Sequence, residues 1–133
     1  MRSNWITHAG TATLLLLLLT ACSDNLLGPD NQLEVMNNTD TFQAQASNMV
    51  EVTQTLDYTW HNTGTTADVN QSGVITGGSG SLRILDADGT QVYSRSLTET
   101  GTFATSAGTS GDWSIEVTLS SASGTLNFRV QKP

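Results

Sequence analysis

The stretch "VEVTQTLDYTW", Val50–Trp60, decides the fold. Val50, Val52, Leu56, Tyr58 and Trp60 fall on one face at a period of two, with Glu51, Thr53, Thr55, Asp57 and Thr59 on the other. Gln54 is the one polar residue in the apolar set. Alternation of this kind describes a strand with one side buried and the other wet.

The same pattern recurs downstream. In "DWSIEVTLS", Trp113, Ile115, Val117 and Leu119 alternate with Ser114, Glu116 and Thr118. In "TLNFRV", Leu126, Phe128 and Val130 alternate with Asn127 and Arg129. Between them "SSASG", Ser120–Gly124, reads as a short hairpin loop. "SLRILDADGTQVYS" reads as a second hairpin, with Leu82 and Ile84 before an Asp-Ala-Asp-Gly turn and Val92 after it. Weaker strands are expected at Leu33–Asn37, Thr41–Ser47, Ala67–Gln71 and Thr98–Thr105. A helical period is not sustained beyond two turns anywhere, and no internal repeat of solenoid length appears. The expected fold is all-β: a single antiparallel β-sandwich of about eight strands, jelly-roll or immunoglobulin-like.

The N-terminus reads differently. "TLLLLLLTACSDN", Thr13–Asn25, holds a leucine run too short to span a bilayer, which takes about 20 apolar residues. A short n-region with Arg2, an apolar stretch and small residues at a cut site fit a secretory signal. Leu19-Thr20-Ala21-Cys22 resembles the bacterial lipobox, an aliphatic residue and two small ones before an obligatory cysteine. The resemblance implies that the Cys22 sulfur takes a diacylglyceryl group and that cleavage falls on its N-terminal side. Cys22 is the one cysteine of the chain, so it has no intramolecular disulfide partner. Stable anchoring takes more than one acyl chain, and the resemblance implies two or three on Cys22. The expected organisation is a signal peptide over 1–21, a lipidated Cys22 with a flexible tether over 22–32, and a β-sandwich over 33–133. A lipid-anchored protein of the bacterial envelope is thereby expected. Ser23 after the cysteine, where an Asp marks inner-membrane retention in well-studied Gram-negative bacteria, favours the outer membrane.

Composition narrows the function. Arg2 leaves with the signal, so Arg83, Arg95, Arg129 and Lys132 face twelve Asp and Glu, a net charge near −8. Scattered basic residues in so acidic a chain cannot track a phosphate backbone, which excludes nucleic acid. Attachment to anionic lipid by charge is excluded in the same way. No cofactor is implied.

A second resemblance is carried by the aliphatic strand, the Asp-x-x-Gly turn, the Val-Tyr strand, and the closing pair "GDWSIEV" and "GTLNFRV". Gly111, Trp113, Ile115 and Val117 match a "Gly-x-Trp/Tyr-x-Ile/Leu-x-Val" strand opening. The arrangement, from Ser81 to Val130, resembles bacterial pre-peptidase C-terminal domains and proprotein-convertase-type P domains. It implies a jelly-roll-like sandwich. Those modules usually accompany a protease domain, and these residues carry none.

Candidate chemistry is sparse. Asp86, Asp88 and Thr90 resemble the start of a calcium loop, with Asp112 the nearest further donor. An EF-hand would need Glu at loop position 12, where Leu97 stands. The plainer reading is a hairpin turn in which Asp caps its own backbone and Gly89 takes a positive φ, and it is preferred. His61 lacks a set of partners for zinc, which needs three or four ligands, and reads as a surface histidine. No Gly-x-Ser-x-Gly elbow accompanies the many serines. Glu51 and Asp57 lie six positions and ~20 Å apart along one strand, too far for a glycosidase pair. Trp60 and Trp113 are in phase with aliphatic neighbours and belong to the core, whereas Tyr93, opposite Val92, is the ring expected outside. The expectation is a non-enzymatic lipoprotein with a structural or protein-interaction role. The alternative is a module that binds a glycan or calcium. An exposed edge strand or apolar patch would favour a protein partner, and an exposed Trp60 or Tyr93 beside a groove would favour a glycan.

Overall fold

The computed structural model describes residues 26–133; the signal segment and Cys22 lie outside them. Seven antiparallel strands form one sheet: β1 (Glu34–Asn38), β2 (Thr41–Asn62), β3 (Asp68–Gln71), β4 (Val74–Leu85), β5 (Gln91–Ser96), β6 (Gly101–Ala104) and β7 (Gly111–Gln131). A 3-10 turn at Pro29–Asn31 precedes them. The all-β, sandwich-like fold is as the alternation predicts.

Two strands are much longer than expected, and this makes the sandwich. The first half of β2, Thr41–Ala46, pairs with Leu126–Gln131 of β7, and its second half, Gln54–Asn62, pairs with Gly111–Leu119. Between the halves the register shifts at Ala46/Met49, Met49/Val52 and Val52/Gln54. Asn48, Glu51 and Ser121 there take positive φ (53°, 48° and 46°), the mark of bulges that bend a strand and sharpen its twist. The sheet therefore folds over itself at this corner into two layers. The first holds β1, the start of β2, the end of β7, β3 and β6; the second holds the end of β2, the start of β7, β4 and β5. Opposite the corner the layers are tied by side chains of the second half of β2 and of β1. Trp60 Nε1 donates to the Asn38 carbonyl at 3.0 Å and Asn37 Nδ2 to the Thr59 carbonyl at 2.8 Å.

"SSASG" is thus not the expected hairpin loop. Ser120 and Ser123 pair with β4, and Ala122 and Gly124 with β2. Likewise Thr41–Ser47 and Val50–Trp60 are one strand, so the strand count is seven rather than about eight. The bend also removes Val50 from the buried set, since it is exposed while Val52 is buried. Gly124 (φ 118°) has no room for a side chain, because a Cβ would overlap the Val74 carbonyl oxygen. Gly78 (φ 65°) meets the Ser121 carbonyl in the same way.

The core lies between the layers. Phe42, Ala44, Leu126, Phe128 and Val130 of the first meet Leu82, Ile84, Trp113, Ile115, Val117 and Leu119 of the second. Trp60 and Trp113 are fully buried, edge to face with centroids 5.9 Å apart, a favoured aromatic geometry. Residues 27–32, expected as tether, dock on the domain. Leu27 packs against the core and donates its N–H to Gln54 Oε1 at 2.9 Å. Asn31 Nδ2 donates to the Ser47 and Asn48 carbonyls at 3.2 and 3.0 Å. The chain therefore enters the domain at the corner.

Candidate functional site

Most of the predicted chemistry collects at the end opposite the corner. β4 and β5 form the expected hairpin, with Gly89 at φ 81°. Asp86 is buried in its turn. Its Oδ1 accepts the N–H groups of Thr90 (2.8 Å) and Asp88 (3.0 Å), and its Oδ2 that of Thr109 (2.9 Å). The Thr109 and Thr90 N–H bonds, aided by that of Asp88, hold its carboxyl below the ordinary range. A carboxylate that accepts three N–H groups binds two loops together. Asp88 Oδ2 accepts from Thr109 Oγ1 at 2.6 Å. Asp112, the proposed further donor, faces His61 instead, with Oδ1 to Nδ1 2.8 Å. Among the described residues no three His, Cys, Asp or Glu come together as a metal site.

The aromatic candidates are inside. Trp60 and Trp113 are core, as expected, and Trp113 Nε1 donates to the Thr109 carbonyl at 2.7 Å. Tyr93, expected on the surface, is buried. The cause is a bulge between β4 and β5: Ile84 pairs with Tyr93 but Leu85 with Gln91, so Val92 is an inserted residue. With one residue inserted, Val92 and Tyr93 both turn inward. The Tyr93 hydroxyl donates to Gln71 Oε1 at 2.6 Å, while Gln71 Nε2 donates to the Ser96 and Glu99 carbonyls at 2.9 and 2.7 Å. Burial pushes the Tyr93 phenol up to about 12. Glu51 and Asp57 are both exposed, Glu51 at the corner and Asp57 in the second half of β2.

Two surface features were not singled out by the sequence. The first is β1. Among the described residues it hydrogen-bonds only to β2, and all five of its residues are exposed. Val35 lies opposite Ala44, on the core side, and Met36 opposite Gln43, on the outer side; they are 39% and 44% exposed. Proteins guard such edges with charged side chains, Pro or bulges; β1, "EVMNN", carries no Lys, Pro or bulge, and its one charge is Glu34 at its start, which accepts from Gln45 Nε2 at 2.7 Å. The other edges are less open: β5 has its bulge and Arg95, and β6 has four residues.

The second is the outer face of the first layer. Of the other basic residues, Arg83 and Arg95 belong to the second layer and pair with Glu116 (2.7 Å) and Glu99 (2.9 Å), Arg95 lying 3.8 Å over the Phe103 ring, and Lys132 lies 3.7 Å from Asp40. Arg129 is left without an ion-pair partner among the described residues. It stands between Gln43 and Asn70 in register and lines a shallow depression with Asp68, Thr102 and Gln131. Strand order, which no local pattern encodes, brings these side chains together. No protein-family model matches the chain, and no curated protein matches it significantly.

Proposed function

We propose that this protein is a bacterial envelope lipoprotein, held by acyl chains on Cys22, whose domain engages a protein partner by strand addition along β1. The role is one of binding, without catalysis. The observation that carries the partner reading is the open edge of β1, with Val35 and Met36 exposed on its two faces. Strand addition supplies main-chain hydrogen bonds along the edge, and alternating side chains supply selectivity. The burial of Trp60, Trp113 and Tyr93 removes the stacking rings that a glycan site would use. A second reading keeps the glycan: Arg129, without an ion-pair partner among the described residues, lies with Asn70, Gln131 and Lys132 in a depression that also holds Asp68, and its guanidinium suits a carboxylate-bearing sugar chain.

The test is photo-crosslinking of the full lipidated chain in its native envelope, with the reactive residue at position 35, 36 or 118. A discrete adduct from 35 and 36, absent from 118 on the outer face of β7, with the adduct from 35 lost on Met36→Lys, supports the β1 reading. Equal or no crosslinking at all three positions overturns it. Thermal stabilisation of the protein by an acidic polysaccharide, abolished by Arg129→Gln, would support the second reading instead.

A further inference from the structure

We infer that the corner end of the domain sits on the lipid bilayer, with Leu26, Val50 and Val74 in contact with its surface; this rests on the lipoprotein reading of Cys22. The three are the most exposed large hydrophobic residues described, at 59%, 62% and 59%. They surround one feature. Met49 and Ile75 flank Gly124 on its two sides, which places Val50 and Val74 next to it on neighbouring strands. Leu26 precedes Leu27, whose N–H is fixed to Gln54, and Asn31 is fixed to Ser47 and Asn48 just before Val50.

The reach of the chain names the occupant. Because residues 27–32 dock, the free connection from the lipidated cysteine is far shorter than a ten-residue tether. Only Ser23, Asp24 and Asn25 separate Cys22 from Leu26, and four Cα steps span at most ~14 Å. A domain held that closely keeps its corner within ~14 Å of the lipidated cysteine. The corner is also where the three most exposed of the large apolar side chains lie. The segments that build it, residues 26–33, 47–53, 74–79 and 120–124, contain no Lys or Arg, and their charges are Asp30 and Glu51. Contact therefore rests on apolar burial at the headgroup boundary rather than on attraction to anionic lipid. In this seating the loops at Asp40, Asp86 and Asp112 point away from the bilayer, and β1 runs outward from it.

The experiment uses the full lipidated chain in vesicles of phosphatidylethanolamine and phosphatidylglycerol. Single cysteines replace Val50, Val74 or Asp88, each carrying an environment-sensitive fluorophore, with a quencher borne on the lipid chains. Quenching at positions 50 and 74 is expected to be several-fold stronger than at 88, and unchanged by high salt. Equal quenching at all three positions, in protein that floats with the vesicles, overturns the seating and leaves the anchor reading intact. If the chain carries no acyl group and Cys22→Ser associates with membrane no differently from the parent, the anchor reading fails and the inference fails with it.

Discussion

The two ends of the sandwich are built from the same two strands by different means. At the corner, β2 and β7 turn through backbone conformation, with positive φ at Asn48, Glu51, Ser121 and Gly124; hydroxyls cap the bent backbone, Ser123 Oγ accepting from Glu51 N–H (3.0 Å) and Thr53 Oγ1 from Ser121 N–H (2.9 Å), and apolar residues are left outside. At the far end the chain is held by side chains. Asp40, at φ 65° in the β1–β2 turn, accepts from the Thr63 N–H (2.8 Å) and hydroxyl; Asn62 accepts from Gly64 N–H (2.9 Å); Thr105 accepts from Ala67 N–H (3.0 Å). The corner turns on what the backbone can adopt at four positive-φ residues, the far end on carboxylate, amide and hydroxyl acceptors that join separate loops. Substitutions should separate them.

The largest effect is expected at the corner. Gly124→Val places a β-branched side chain at φ 118° against the Val74 carbonyl. Strain and overpacking together should cost about 4 kcal/mol or more. Urea unfolding would register this as a large fall in midpoint or loss of the folded state. A variant within about 1 kcal/mol of the parent would mean that the corner has another conformation open to it, and the contrast between the ends would weaken.

That result would bear on what the sequence could reveal. The strands were legible because each inward residue is apolar and each outward one polar over long runs, as in Trp113–Leu119. The bends were not. Asn48, Glu51 and Ser121 are ordinary residues whose positive φ is imposed by pairing with neighbouring strands, so nothing local announces them. "SSASG" has the composition of a turn and still lies within a strand, because β4 and β2 supply partners on both sides. Tyr93 was misplaced for the same reason, since one inserted residue reverses every inward and outward assignment beyond it. The lipobox resemblance at Cys22 rests on four consecutive residues, outside the described ones, whereas the edge position of β1 and the surroundings of Arg129 depend on strand order.

A smaller loss is expected between the ends, where Gln71 joins β3 to Tyr93 and to the β5–β6 connection. Tyr93→Phe leaves Gln71 Oε1 buried without its donor, which should cost ~1–3 kcal/mol. The pH dependence has a definite sign. The folded phenol holds its proton up to about 12, against 10.0 when unfolded. Its contribution is complete below pH 10.0 and is lost as the pH rises toward about 12. Urea midpoints across that window should fall less steeply in Tyr93→Phe than in the parent. Equal slopes would show that the ring is not the group being titrated.

Smaller again, and of opposite sign in pH, is the contribution of the far end. Asp40 is held below its ordinary pKa first by the Thr63 N–H and then by the Thr63 hydroxyl, Asp86 first by the Thr109 N–H. Their stabilisation is complete above the unfolded value of 3.8 and is lost as the pH falls through the folded ones. Asp86→Asn should lower the thermal midpoint at neutral pH and flatten the fall on acidification. Gly124 variants should shift the whole acid profile without changing its slope. If Asp86→Asn kept the parent's acid slope, the carboxylate would not be what fastens the two loops.

The smallest effect tests why the corner leaves apolar groups outside. A residue that contributes to folding by burial loses stability when made polar; one kept for contact with something else does not. Val74→Thr preserves strand propensity and shape at a side chain already 59% exposed. Stability should change by no more than about 0.5 kcal/mol, measured by urea unfolding in the absence of membrane. A loss above about 1 kcal/mol would assign Val74 to packing, because Thr at a site that stayed wet has little to lose. A neutral result leaves folding without a reason for the exposed valine. Under the lipid-anchor proposal the bilayer would then supply one, and the contrast between an end with apolar residues left outside and a polar end would follow the axis from membrane to solvent.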